Sequence, residues 1–277
     1  MQKTSYKLCG SALVMGIFGA FFRWVQLRRA READTGLFIS GSPWSIWIFL
    51  YLAAIAAALF LLVRAQRGRA FPPSYPAVYA HGNRAIKPLS ALAGFLLALG
   101  GLLTIVYALR SAATAATGIN GSIDYTPVFD LILGLFALGC AVAASVFIGS
   151  AGNPKPVKGY GASAFVVLFL CFWLIAAYKY SANDPVVWNF AIRLVTISSA
   201  VLSFYYAAGF VYQKPHPLAA LYFALLTVVL CTVTLADAYP LGEQLIVFAF
   251  LLYSLLLAAL ELSSSGTQKQ AEDSADE

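Results

Sequence analysis

Eight stretches of about 20 mostly apolar residues divide the chain, and a run of that length crosses the roughly 30 Å hydrocarbon core of a bilayer as a helix. They fall at 8–27, 44–63, 89–109, 127–150, 163–182, 187–212, 217–236 and 244–262. Proline, glycine, asparagine or charge marks each break: Gly41 to Pro43, Pro72 and Pro73, Gly118 to Gly121, Asn153 to Pro156, Asn183 to Pro185, Lys214 to Pro217, and Pro240 to Gly242. The pattern predicts an all-α, polytopic transmembrane helical bundle, one domain over 1–262, with every connection short except 64–88. Residues 263–277 turn polar and acidic and are expected to form a disordered cytoplasmic tail.

Composition agrees. Hydrophobic residues make up 61% of the 277 positions and charged ones 11%, less than half the roughly 25% that water-soluble domains carry. Lys3 and Lys7 ahead of an apolar run resemble a signal peptide, but Arg23, Trp24, Arg28 and Arg29 stand where a small-residue cleavage site would be needed. A retained first helix is the expectation.

Charge supplies an orientation. With both termini inside, eleven of the eighteen basic residues lie on the inner side: Lys3, Lys7, Arg64, Arg67, Arg69, Arg84, Lys87, Lys155, Lys158, Lys214 and Lys269. Arg28, Arg29, Arg31, Arg110 and Lys179 lie outside, and Arg23 and Arg193 near the outer ends of helices. The excess favours an N-in/C-in arrangement, against which the Arg28 to Arg31 cluster stands. Trp24, Trp44, Trp47 and Trp188 collect at the outer helix ends, where an interfacial aromatic belt sits. A multi-pass protein of a cell membrane, the bacterial cytoplasmic membrane being the expected one, fits this pattern.

The net charge of +6 is spread between apolar runs rather than gathered on one soluble face, which argues against nucleic acid as a partner. Ionisable residues inside spans are costly and by default functional. Asp130 and Arg193 lie inside the fourth and sixth runs. Asn189, Arg193, Thr196, Ser199, Ser203 and Tyr206 recur every three or four residues and make one polar stripe on the sixth helix. The spacing leads us to expect Arg193 to pair with Asp130 or Asp237, with the stripe lining a polar cavity that opens to the outer side. Small residues share faces on the first helix (Ala12, Gly16, Gly19, beside Arg23), the third (Ala91, Gly94, Ala98, Gly101) and the fourth (Gly134, Ala137, Ala141, Ser145, beside Asp130), as close helix packing requires.

Other motifs carry little. Asp34, Thr35 and Gly36 spell the aspartic-protease triplet, but only once and between two helices, and turn formation explains it. GxGD, GxSG and HExxH sequences are missing, as are phosphate-binding loops. His81 and His216 sit apart in different loops, and Cys9, Cys140, Cys171 and Cys231 lie in apolar runs without CxxC spacing. The Asn120 to Ser122 sequon is near chance frequency. Neither catalytic residues, nor a metal, nor a cofactor is called for.

Two functional readings follow. The first is a small-solute transporter or permease-like subunit, taking a small polar or anionic solute at Asp130, Asn189, Arg193, Thr196, Ser199, Ser203, Tyr206 and Asp237. The second is a non-catalytic sensor or assembly subunit acting through the basic 64–88 segment. There Arg64, Arg67, Arg69, Arg84 and Lys87 would meet anionic lipid, or a membrane or cytoplasmic protein partner.

Overall fold

Apolar runs of this length satisfy their backbone polar groups internally by winding into helices. The computed structural model describes residues 2–32, 38–39, 41–68, 71–72, 74–79, 86–116, 126–149, 157–181, 186 and 190–273. Its helices are α1 (Gln2–Arg29), α2 (Pro43–Arg64, with a 3₁₀ turn to Gly68), α3 (Tyr75–Tyr79), α4 (Ile86–Ala116), α5 (Thr126–Gly149), α6 (Val157–Ser181), α7 (Ala191–Val211), α8 (Pro217–Thr234) and α9 (Leu241–Asp273). All but α3 are long and apolar enough to cross a membrane. The chain is an integral membrane protein, an all-α polytopic bundle.

Two stretches depart from the sequence pattern. Residues 263–273 continue α9 as helix where a disordered tail was expected. The span has already met the cost of nucleation, so each further residue needs only propagation, and Ser263, Ser264 and Ser265 donate back to the carbonyls of Leu260, Glu261 and Leu262. The 64–88 connection is also more than a loop. Its α3 turns Tyr75, Val78 and Tyr79 inward, each at most 3% exposed, against Phe147 of α5 and Phe210 of α7.

Around a central α9 stand α1, α3, α4, α7 and α8, while α2 packs at the margin on α1 and α8. Within the apolar windows 72% of α9 is buried against 22% of α2, so α2 presents Ile46, Trp47, Phe49, Phe60 and Leu61 outward, to lipid. At the centre Phe250 of α9 stacks on Phe169 and meets Trp173 and Phe204.

The small-residue faces do what their spacing predicts. A Cβ on Gly101 of α4 would lie 2.8 Å from the Gly134 carbonyl of α5, and one on Gly134 2.7 Å from the Gly101 carbonyl. The two backbones touch. Gly94 likewise fits against Ser145, and Gly16 and Gly19 of α1 against Thr232 and Val233 of α8. One contact was not foreseen: Gly100 meets Gly242, at the first turn of α9, just as closely.

Candidate functional site

Because Gly16 and Gly19 let α1 lie directly on α8, Arg23 reaches the α8–α9 connection. Its Nε stands 2.6 Å from Asp237 Oδ1, with side chains 1% and 6% exposed. Arg23 Nη1 also donates to Gln26 Oε1 at 2.7 Å, and Gln26 Nε2 to Ser45 Oγ at 3.0 Å, which ties α2 to the same group. Gln244 Nε2 donates to the Asp237 carbonyl.

Arg193 forms the second centre. On α7 it faces the first turn of α9, where Glu243 Oε1 lies 2.5 Å from its Nε, and its guanidinium sits over the Tyr239 ring at 4.9 Å. Asp130 accepts from Tyr180 Oη at 2.7 Å. Arg193, Glu243 and Asp130 bear on Tyr180, and Arg193 bears on Asp237, so both centres form one electrostatic neighbourhood at one end of the bundle. Burial raises the Asp237 carboxyl above its ordinary range against the downward pull of Arg23, Arg31 and Arg193. Burial, with the Asp237 charge, also raises the Tyr239 phenol, which stays a donor.

The expected partners of Arg193 are therefore corrected: it pairs with neither Asp130 nor Asp237. Asp237 is held by Arg23 across the α1–α8 contact and Asp130 by Tyr180 of α6, which leaves the α9 acid Glu243 opposite Arg193. In the sequence Glu243 falls between the Pro240 to Gly242 break and the eighth apolar run, outside every span. Its signal was its place in a helix's first turn, where an acid is favoured by the helix dipole.

Below Arg193 the polar stripe faces α8. Thr196 Oγ1 lies 2.8 Å from Thr234 Oγ1 and Ser199 Oγ 2.9 Å from Thr227 Oγ1. Ser203 is buried, its hydroxyl without a partner. Tyr206, half-buried, stacks on Phe223 and meets His216 edge-on. Asn189 lies outside the described residues. Interhelical hydroxyl bonds of this kind contribute about 0.6 kcal/mol each. Ser199→Ala and Thr227→Val should each lower stability in detergent by about that much, read by thermal unfolding, and a loss well above about 1.7 kcal/mol would mean these hydroxyls hold more than the α7–α8 seam.

Of the basic residues expected at the 64–88 segment, Arg64, Arg67 and Lys87 are exposed, and Arg69 and Arg84 lie outside the described residues. The Asp34 to Gly36 triplet, the sequon and His81 also lie outside them. All four cysteines are free. Among the described residues no three His, Cys, Asp or Glu side chains converge to hold a metal ion. No protein-family model, curated protein or solved structure matches the chain.

Proposed function

We propose that the protein is a small-solute transporter or permease-like subunit whose solute, small and polar or anionic, enters at Arg193, Glu243 and Asp237 and follows the α7–α8 seam. One observation carries this reading: the charge network is only partly satisfied by the protein. Asp237 Oδ2 and Ser203 Oγ are buried without partners. Buried polar atoms are nearly always satisfied, so a cluster of exceptions calls for a reason, and a ligand that completes these bonds is one. The hydroxyls of Thr196, Ser199 and Ser203 then offer successive sites that can exchange their α8 partners for solute. With both termini cytoplasmic, as the basic residues favour, the site opens to the outer side of a bacterial cytoplasmic membrane.

Thermal stability tests this reading. A ligand at 100 times its Kd adds about 2.7 kcal/mol, so within a panel of carboxylates, phosphates and amino acids some members should raise the Tm of the purified protein and leave Arg193→Gln unmoved. A panel with no active member, or one acting equally on Arg193→Gln, contradicts the reading. A second reading, a sensor or assembly subunit, is favoured by one observation: the segment carrying exposed Arg64, Arg67 and Lys87 also carries α3, which is seated in the bundle.

A further inference from the structure

Glu261 lies on α9, 18 residues from Glu243, which is about 27 Å along the helix, at the opposite end from the charge cluster. It is 1% exposed. One carboxyl oxygen accepts a hydrogen bond from Tyr79 Oη at 2.9 Å, and the other, Oε2, is buried without a partner. No lysine, arginine or histidine among the described residues pairs with it. The ionisable groups that face it are Tyr79 of α3 and the buried thiol of Cys9 of α1. Tyr75, also of α3, bears on Tyr79 and donates to the Phe147 carbonyl. Lys87 in the first turn of α4 and Lys7 of α1 are the described charged residues of the packed helices toward this end, and both are exposed.

A carboxylate so placed has lost its water without gaining a counter-charge, which is costly. Something positive must accompany it. Hard metal cations take six or more oxygens, whereas this pocket offers one carboxyl and one phenol. Burial, then the Glu261 charge, raises the Tyr79 phenol well above its usual range, so that hydroxyl remains a donor.

We propose that Glu261 is a proton-binding site capped by α3, and that its proton occupancy sets whether α3 stays seated. With the proton on, the neutral acid keeps Tyr79 as its partner in an apolar pocket. With the proton given up to water, the carboxylate needs solvation, and α3 is the element that covers it. The short helix then loosens, and with it the segment bearing Arg64, Arg67 and Lys87. This site is independent of the solute path proposed above, and either can fail without the other.

Dicyclohexylcarbodiimide, an apolar reagent that adds to protonated carboxyls, tests the site in the intact protein. The expected result is an adduct at Glu261, found by peptide mass spectrometry, that diminishes as pH rises. Absence of the adduct at acidic pH, or equal modification by a water-soluble carbodiimide, overturns the proposal. Seating of α3 is read with Val78→Cys in a chain lacking the native cysteines, since Val78 is 1% exposed. Its modification by an impermeant maleimide is expressed relative to the same chain carrying Glu261→Gln, which cancels the thiol's own pH dependence. That ratio should rise several-fold from acidic to alkaline pH, and a constant ratio overturns the link. Tyr79→Phe, which keeps the acid, should speed the labelling already at acidic pH, and an unchanged rate refutes the cap.

Discussion

Replacing Arg23 with methionine is expected to destabilise the protein by about 3–5 kcal/mol, because it strips a buried carboxylate of its counter-charge while leaving it buried. Asp237 is 5% exposed, its Oδ2 already lacks a partner, and Gln26 would lose its own contact with the guanidinium. Asp237→Leu should cost a similar amount by stranding the arginine. The double variant Arg23→Met/Asp237→Leu should recover most of the loss, since an apolar pair of like volume is often as stable as a buried ion pair. The sign with pH follows from burial: the Asp237 carboxyl is raised in the folded protein, so its contribution is fully present below the ordinary carboxyl range and is lost as pH rises through the raised value. Arg23→Met removes the largest opposing pull, so its deficit should narrow as pH falls. Thermal unfolding in detergent at several pH values checks both statements.

The second large effect is expected at the α4–α5 contact. Gly134→Ala would place a methyl 2.5 Å from Ile105 Cγ1 and 2.7 Å from the Gly101 carbonyl oxygen. A flexible side chain can turn away, but a helix backbone cannot. Overpacking of this kind costs about 1–3 kcal/mol, and Gly134→Leu should exceed that and separate the helices. Gly10→Ala is the control: nothing lies within 4 Å of the added carbon, and alanine in a helix gains about 0.5–1 kcal/mol over glycine.

These two contacts show what the sequence holds and what it does not. Apolar run length and its interruptions are local properties, so all eight spans could be read from them. The pairing of Gly101 with Gly134 was legible in part, since each sits in a small-residue stripe, but which stripes face each other depends on the order of helices around the bundle. Partner choice is non-local in the same way. Asp130, Asp237 and Glu243 all lie near the same end, and only the α1–α8 contact at Gly16 and Gly19 gives Asp237 to Arg23 and leaves Glu243 for Arg193. Glu261 was legible only as an acid near a helix end, because its burial comes from α3, and five residues are too few to show a helical period. The hydroxyl stripe of α7 was plain in sequence, and its seating against α8 was not.

The proposal of a solute path stands most directly on whether the α7–α8 seam opens. Ser203 lies about 15 Å along α7 from Arg193 at 1.5 Å per residue, and it is 1% exposed. In a chain freed of Cys9, Cys140, Cys171 and Cys231, Ser203→Cys is treated with a membrane-impermeant thiol reagent added from one side of the membrane at a time. A path that opens alternately predicts modification from each side, more slowly than at the exposed position 214 carrying a cysteine in place of Lys214. Complete protection from both sides, while the cysteine at 214 reacts fully from its own side, would contradict it.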